Sequence, residues 1–570
     1  MTSLTSARQQ CAVLIRHFLA QFFESELIPR QAEARVTLIQ ILALIATPGF
    51  VIMCCLLRKY ARLAPLSPAA AHLAALDEKC LFIYFSMVVI GLVAVLEWDS
   101  LFPDRRDYLI LCPLPIRAGN VFLSKAASLC IFVALFSAFV NAFPAVLYPA
   151  FVSSELHQTL WFMLSHALSV FAGNAFIFFA CIAVQGFVLN VFGPRISIRA
   201  SRCVQLLLFV ALLTTFFLMP FVSFESMRRK PGLLDVFAPA WFLGLYQTLL
   251  SDPTRDFLLL ARRALTALGL AGLGFALSYG LAYKRQLRKT LEVDMVGSRR
   301  SPGLGATVTA MCSRLILRNP RERAVFSFVA RTLARCQAHR TYLLAYFGTG
   351  LAFVFMGLIT LVSRHGFGAA SELKAEILSI PLVLGFFVLL GFRVVFSLPA
   401  HPAANWLFRL TDGSRLADSL SGVRKAMLYL GIFPLLALLF PVYLGLWGWQ
   451  VAWLHTAFCT VLSLLLIEAL VFRLDRMPFT CTYRPGRANL KLWWWVYLFG
   501  FTNYAYTMTE LEQRLFKESR LFTPFFIAGI ALLLAAAAYR NRLIARLCAF
   551  RYEADSTPAP EPLVLGSRLH

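Results

Sequence analysis

The sequence is poor in charge, and above all in negative charge. Only 15% of its 570 residues are charged, and the 54 Lys and Arg residues outnumber the 29 Asp and Glu residues. A soluble domain carries about 25% charged residues, so a water-soluble globular fold is excluded. The net charge of +25 would suit a nucleic-acid partner, but most of the basic excess lies in every second loop between the apolar stretches, which places it on one side of a membrane. This distribution follows the positive-inside rule of membrane proteins and argues against nucleic acid.

Patterns that mark an enzyme or a metal site are missing as well. The 13 cysteines are scattered, without a CxxC pair or a Cys/His spacing typical of zinc sites or disulfide frameworks. There is no GxxxxGK[ST] phosphate loop, and the longest polar stretch, 284–340, is too short for a nucleotide-binding domain. The N-terminus has no signal-peptide pattern, so the first apolar stretch should be an uncleaved anchor. We expect no catalytic residue, cofactor or metal ligand.

Long apolar runs dominate what is present, and 59% of the residues are hydrophobic. A helix of about 20 residues crosses a hydrocarbon core about 30 Å thick, and inside that core the backbone must satisfy its own hydrogen bonds. The sequence therefore predicts an all-α polytopic membrane protein with about 12 transmembrane helices. They are expected at 36–57, 80–98, 126–150, 160–188, 203–222, 264–283, 341–363, 376–397, 425–446, 450–472, 492–508 and 522–539.

The predicted spans form two groups of six around a basic segment. Six is an even number, so both groups would enter the membrane from the same side, as a parallel repeat requires. The prediction is a first six-helix half at 1–285 and a basic cytoplasmic connector at 286–340. A second half follows at 341–545, and a disordered cytoplasmic tail at 546–570. Both termini would face the cytoplasm.

Each half begins with an amphipathic stretch, at 10–24 and 324–340. Apolar side chains follow one face of each stretch, and polar or charged side chains follow the other. Arg331, Arg335 and His339 mark the polar face of the second stretch. Such helices lie in the membrane interface with the apolar face toward the lipid. The alternative is an ordinary juxtamembrane segment without this role.

A basic segment that begins with proline separates the second and third span of each half. One runs from Pro103 to Lys125 and the other from Pro402 to Lys425, so the two are nearly equal in length. Each segment ends on a lysine where the next span begins. Agreement in topology and in local pattern favours a duplication.

With these features the chain resembles an ABC-2-type permease, the membrane subunit of ATP-driven exporters. The resemblance rests on the amphipathic N-terminal helix, six spans per unit, an apolar loop between the fifth and sixth spans, and Leu114-Pro115-Ile116-Arg117 before Lys125. It implies a fused two-copy form in which the basic segments are coupling helices that dock on separate ABC ATPase subunits. The second segment departs from the pattern, with Leu410-Thr411-Asp412-Gly413 instead. The residues assigned to coupling are Asp104, Arg105, Arg106, Tyr108, Leu114, Pro115, Arg117, Trp406 and Arg409.

Four polar side chains within predicted spans are candidates for function, because such groups are costly in a membrane. Arg393 and Glu468 lie near the cytosolic ends of spans eight and ten. They would either form an ion pair or reach the interface separately. His166 and Asn174 lie near one face of span four, and would either hydrogen-bond neighbouring helices or contact a substrate.

The sequence thus predicts a permease, not an enzyme, that moves a hydrophobic or amphipathic substrate in a bacterial inner membrane. Membrane lipids would bind its basic faces. An ion-gradient-driven transporter of 12 helices is the alternative, and it would need an acidic residue near the bilayer midplane, for which Glu468 is the candidate. A polytopic enzyme would need clustered Asp, Glu or His, and only Asp99, Asp104 and Asp107 lie near one another.

Overall fold

Helices make up almost all of the described structure. A computed structural model describes residues 7–23, 46–56, 68–98, 100–102, 107, 110–111, 114, 116, 118–152, 156–192, 194–221, 224–229, 231–250, 254–293, 317, 319–366, 368, 372–400, 416–472, 477–480 and 490–546. The described residues are 92% helical and contain no strand. Nine of their helices are long and apolar enough to cross a membrane. The chain is an all-α, multi-pass membrane protein.

Most of the predicted spans coincide with these nine helices. They are Ala75–Leu96, Gly119–Val140, Leu156–Val191, Arg199–Phe221, Arg255–Leu281, Ala338–His365, Ala375–Val395, Ala417–Val471 and Ser519–Arg542. The helix Ala417–Val471 covers the predicted spans nine and ten. A kink at Gly448, where φ is 78°, falls at the turn predicted between them. The predicted first span is described only over the shorter apolar helix Ala46–Leu56.

The internal contacts divide the chain into a first unit, Met1–Arg299, and a second unit, Arg300–His570. The boundary falls inside the predicted connector 286–340. The first unit contains α1 (Ala7–Phe23), α2 (Ala46–Leu56), α3 (Pro68–Leu96), α4 (Ala118–Val140), α5 (Ala142–Val152), α6 (Leu156–Val191), α7 (Pro194–Leu218), α8 (Phe224–Arg228), α9 (Pro231–Val236), α10 (Ala238–Leu249) and α11 (Arg255–Val293).

Helix α6 is the centre of the first unit and packs on both α3 and α11. Two glycines allow α11 to lie close to its neighbours. A Cβ atom on Gly244 of α10 would lie 2.4 Å from the Cβ of Leu260, and one on Gly186 of α6 would lie 2.4 Å from the Cβ of Ser278. Small residues at such contacts let membrane helices approach closely and gain packing energy.

The second unit has helices of similar length. It contains α12 (Pro320–Arg335), α13 (Gln337–His365), α14 (Ala375–Leu378), α15 (Ile380–Val395), α16 (Leu416–Met427), α17 (Phe433–Val471), α18 (Leu490–Lys517) and α19 (Phe522–Arg546). A π-helical turn, Leu428–Ile432, joins α16 to α17. Helix α15 packs on α13 and α17, and α17 also packs on α19.

The amphipathic stretch of the first unit forms α1, which packs on α4. Leu14 and Phe18 are buried in this contact, whereas Val13, Arg16 and His17 are exposed. The buried side chains are spaced four residues apart, as one face of a helix requires. Helix α1 is therefore amphipathic in the folded unit.

The amphipathic stretch of the second unit forms α12, which packs on α16. The Asn319 side chain accepts a hydrogen bond from the backbone of Arg321, and Pro320 occupies the first turn, so the helix starts with a regular cap. Arg331 and Arg335 are exposed, as predicted. The assignment of His339 to the same polar face is wrong. His339 lies in α13 and is 1% exposed, and its buried Nε2 hydrogen-bonds the carbonyl oxygen of Leu398 at 3.2 Å.

Candidate functional site

Most of the residues assigned to ATPase coupling lie outside the described residues. They are Asp104, Arg105, Arg106, Tyr108, Pro115, Arg117, Trp406 and Arg409. Leu114 is described, and 47% of its surface is exposed, as an apolar docking residue requires. The coupling assignment stays a prediction. The described residues on either side show which helices the basic segments are attached to.

The lysine that ends the first basic segment is buried against α1. Lys125 is 1% exposed, although it lies near the start of α4. Its Nζ lies 4.7 Å from the centroid of the Phe18 ring and donates a hydrogen bond to Gln21 Oε1 at 3.3 Å. Gln21 Nε2 in turn donates to Asp107 Oδ1 at 3.3 Å. A continuous series of contacts therefore joins the basic segment, α1 and the start of α4.

The lysine that ends the second basic segment also contacts an amphipathic helix. Lys425 of α16 forms an ion pair with Glu322 of α12, which also accepts a hydrogen bond from Ser421. Burial acts to raise the pKa of Glu322, but these hydrogen bonds and the charge of Lys425 lower it below its usual value. The helices are close here, because a Cβ atom on Gly422 would lie 2.9 Å from the Glu322 carbonyl oxygen.

Glu468 is held by two arginines. It lies in α17 with 7% of its side chain exposed. Its Oε2 accepts a hydrogen bond from Arg540 Nη1 of α19 at 2.5 Å, and its Oε1 forms an ion pair with Arg424 of α16. In the part of the chain that the structure describes, these two arginines bind Glu468 where the sequence offered Arg393 as one of two alternatives. Arg393 is partly buried near the end of α15.

Asn174 hydrogen-bonds two neighbouring helices of the first unit. Its Nδ2 donates to Ser86 Oγ at 2.8 Å and to Ser137 Oγ at 2.7 Å. Asn141 Nδ2 donates to the same Ser86 Oγ at 2.8 Å. These bonds join α3, α4 and α6, which is the interhelical arrangement that the sequence offered as one alternative for Asn174.

His166 lies beside a buried lysine that the sequence analysis did not select. His166 Nδ1 lies 3.1 Å from the hydroxyl of Tyr246. Lys79 of α3 donates a hydrogen bond to Gln247 Oε1 at 3.0 Å, and its Nζ lies 4.9 Å and 5.2 Å from the ring centroids of Phe162 and Tyr246. The predicted span begins at residue 80, which placed Lys79 outside the membrane. Helix α3 starts at Pro68 instead and carries Lys79 into the bundle.

Another buried polar cluster joins α17 to α18, and the sequence analysis did not select it either. His455 Nδ1 lies 2.6 Å from Glu512 Oε1, and Cys459 Sγ lies 3.9 Å from His455 Nδ1 and 4.0 Å from His455 Nε2. The three side chains are 0 to 1% exposed. The spacing of His455 and Cys459 on one helix is visible in the sequence. Their approach to Glu512 is not, because it depends on how two helices pack.

No family model, curated protein or solved structure matches the chain.

The described polar clusters are of two kinds. The contacts of Lys125, Lys425 and Glu468 link helices beside the basic segments. The groups around His166 and Glu512 are fully buried within the helical packing of their own units. Polar groups in such places cost free energy unless they are paired or bind an ion, which is why they commonly mark functional sites.

Proposed function

We propose that the chain is the transmembrane permease of an ABC-2-like exporter, moving a hydrophobic or amphipathic substrate while a separate subunit hydrolyses ATP. The observation that carries this proposal is the contact of both segment-ending lysines with the amphipathic helix of their own unit. Lys125 contacts Phe18 and Gln21 of α1, and Lys425 contacts Glu322 of α12. A coupling segment requires such a link, because a force applied to a cytosolic segment moves a membrane helix only if the two are joined rigidly.

The proposal includes a duplicated architecture of about 12 transmembrane helices in two six-helix halves. Similar internal packing supports it. The predicted spans four and six of the first unit are in contact through the stacked rings of Phe179 and Phe275, whose centroids are 5.0 Å apart. The predicted spans ten and twelve of the second unit are in contact through the stacked rings of Phe458 and Phe525, at 4.8 Å. A parallel repeat brings corresponding spans together in this way.

The second unit offers a route for the force beyond the amphipathic helix. Helix α16 carries both Lys425, which binds α12, and Arg424, which binds Glu468 of α17. Glu468 is also bound to Arg540 of α19. A displacement of α16 would therefore act on α17 and α19 at once, and these helices carry the predicted spans ten and twelve.

The proposed location is a bacterial inner membrane, with both termini in the cytoplasm. The excess of lysine and arginine in the loops on one side supports this orientation, and the scattered cysteines, the lack of targeting signals and the compact loops favour the bacterial inner membrane. Anionic lipid headgroups would bind exposed side chains such as Arg331 and Arg335 on α12. Fusions of alkaline phosphatase or green fluorescent protein to each terminus test the orientation, and active phosphatase at either terminus would contradict it.

The experiment that tests the permease assignment is affinity purification from the native membrane in mild detergent, followed by mass spectrometry. Wild type is compared with a variant carrying Arg105→Glu, Arg106→Glu and Arg409→Glu in the coupling segments. The matched control carries Arg255→Glu, Arg364→Glu and Arg520→Glu. These three arginines are exposed and lie on the predicted outer side.

We expect an ABC ATPase subunit to copurify with the wild type and with the control, but not with the coupling variant. Three charge reversals at a docking surface oppose the ion pairs that arginine forms with acidic partners. If the ATPase is lost from both variants, the loss results from the change in net charge and not from the coupling segments. Purification of wild type without any ATPase would contradict the proposal.

A second candidate function, an ion-gradient-driven transporter, is favoured by one observation. Such a transporter needs a buried carboxylate that can take up and release a proton, and Glu512 is fully buried beside His455. Glu468 serves this purpose less well, because its two carboxylate oxygens are engaged by Arg424 and Arg540. If no ATPase copurifies, the test is efflux of a fluorescent amphipathic cation from proteoliposomes under an imposed pH gradient. Glu512→Gln should abolish this efflux, and efflux without a gradient would contradict ion coupling.

A further inference from the structure

The cluster of His455, Cys459 and Glu512 holds three kinds of metal-ligand atom in one place. It offers an imidazole nitrogen, a thiol sulfur and a carboxylate oxygen, and the three ligand atoms lie within 4.8 Å of one another. His455 and Cys459 are four positions apart on α17, so they lie on the same helix face, and Glu512 approaches from α18.

Two of the three distances fit a tetrahedral ion after a small adjustment, and the third requires Cys459 and Glu512 to approach each other from within 4.8 Å. Bonds of about 2.0 Å to nitrogen or oxygen and about 2.3 Å to sulfur place two ligands of one zinc ion about 3.3 to 3.6 Å apart. Cys459 Sγ is 3.9 Å from His455 Nδ1, slightly outside this range. His455 Nδ1 and Glu512 Oε1 are 2.6 Å apart, as a shared proton requires. Replacing that proton by an ion would increase the distance between these two atoms by less than about 1 Å.

Glu512 is not fully satisfied by its hydrogen bond to His455. Its second oxygen, Oε2, is buried without a hydrogen-bond partner among the described residues. A carboxylate oxygen in that state is costly, because it has lost water and gained no donor. A hydrogen-bonded His–Glu pair would account for Oε1 alone, and it would explain neither Oε2 nor the position of Cys459.

Charge selects the ion. A cysteine thiolate and a glutamate carboxylate contribute two negative charges, so a divalent cation makes the cluster neutral, which suits a low-dielectric interior. Sulfur and nitrogen ligands favour zinc and neighbouring transition metals over magnesium and calcium, which prefer oxygen. The rings of Tyr443 and Trp447 lie 4.5 Å and 5.7 Å from the His455 ring and form an apolar wall on one side.

We propose that His455, Cys459 and Glu512 form a buried binding site for a zinc-class divalent transition metal ion. Binding replaces the thiol proton and the proton shared by His455 and Glu512, and both protons are released to solvent. Three protein ligands leave the fourth tetrahedral position to water or a small ligand. The site joins α17 to α18. It is compatible with the ATP-driven permease proposed above, whereas a Glu512 that holds a metal ion could not also carry the proton of the ion-driven alternative.

The test uses the full chain, purified in detergent without a histidine tag. Elemental analysis should find about one zinc ion per wild-type chain, as expected for a single site. After chelation, added Co²⁺ should give a thiolate-to-cobalt charge-transfer band in the near ultraviolet. Cys459→Ser keeps the side-chain size but removes the thiolate, so it should lose the band. Cys181→Ser is the matched control, because Cys181 is also buried but lies in α6 of the first unit.

Glu512→Gln and His455→Gln should each weaken Co²⁺ binding at least about tenfold, the effect expected of losing one ligand or its orienting partner. Gel filtration and thermal unfolding show whether each variant remains folded. If a variant does not fold, the zinc content and the cobalt band of wild type still decide the question. Wild-type protein that holds no zinc and gives no charge-transfer band with Co²⁺ would overturn the proposal. A band that survives in Cys459→Ser would place the metal at another cysteine and overturn it equally.

Discussion

Lys125 Nζ lies 4.7 Å from the centre of the Phe18 ring, in a contact from which water is almost excluded. The two residues are far apart in the sequence, and the contact attaches the N-terminal helix α1 to α4. A buried ammonium group is stable there because the ring face and Gln21 replace part of its hydration. The position of α1 therefore depends on this lysine.

Lys125→Met tests that dependence. Methionine keeps most of the aliphatic stem but removes the charge and the hydrogen bond, so we expect the free energy of unfolding to fall by about 1 to 2 kcal/mol. Thermal unfolding in detergent measures the change. Lys374→Met is the control, because Lys374 pairs with the exposed Glu372 at the surface and should matter little. Equal shifts in the two variants would contradict a special role for Lys125.

The Lys425–Glu322 pair should make stability depend on acid pH. The pKa of Glu322 is lowered in the folded protein, so the pair stabilises the fold above the usual carboxyl pKa of 4.5 and loses its effect as the pH falls through the lowered value. At pH 7 wild type should be more stable than Glu322→Gln by about 1 kcal/mol. Unfolding curves of both proteins at several pH values measure this difference, and the two free energies of unfolding should converge as the pH falls below 4.5.

The same comparison in a Lys425→Met background provides the control for this pair. Without the ammonium group, the difference between glutamate and glutamine at position 322 should be small at every pH. A difference that keeps its pH dependence in this background would show that another partner controls the titration.

Glu468→Gln should be destabilising, because it leaves Arg424 and Arg540 facing each other without the carboxylate. Removing one member of a buried ion cluster costs about 3 to 5 kcal/mol, and partial exposure of the arginines reduces the expected value to about 2 kcal/mol. Arg540→Met should restore part of the loss, since it removes one of the two opposed charges. A double-mutant cycle on unfolding free energies measures this coupling, and strictly additive effects would contradict the cluster.

Gly244→Ala should destabilise the first unit although alanine is the better helix former. Its Cβ would lie 2.4 Å from the Leu260 Cβ and 2.8 Å from the Phe257 carbonyl oxygen, so α10 and α11 must separate at a cost of about 1 to 3 kcal/mol. Gly272→Ala is the matched control on α11, because its Cβ would meet nothing within 4 Å. It should be neutral or slightly stabilising. A similar loss in both variants would contradict the close contact.

The membrane helices themselves were largely predictable from the sequence, because long apolar runs have few alternatives in a bilayer. The predicted span 341–363 lies within the helix Ala338–His365. Helix boundaries were less accurate, since polar turns extend a helix beyond its apolar part. Helix α11 runs over Arg255–Val293 around a predicted span of 264–283, and α3 begins well before residue 80.

The partners of the buried polar groups were not predictable. Hydropathy identified Glu468 as unusual, but the choice of Arg424 and Arg540 over Arg393 depends on how α16 and α19 pack on α17. Glu512 was missed for a related reason. It follows the predicted span 492–508 and therefore falls in the predicted loop before span twelve, whereas α18 continues through it to Lys517. A single sequence shows which residues share a helix face, but not which face of another helix they meet.

The π-helical turn at Leu428–Ile432 also determines the direction in which the side chains of α16 project relative to those of α17. A π turn holds one residue more than an α turn, and each α-helical residue rotates the chain by about 100°. Deleting one residue there would restore a regular helix and swing Lys425 round the axis, away from Glu322. The extra residue thus rotates α16 about the helix axis relative to α17. This rotation directs Lys425 of α16 toward α12, while the apolar side chains of α17 keep their own contacts.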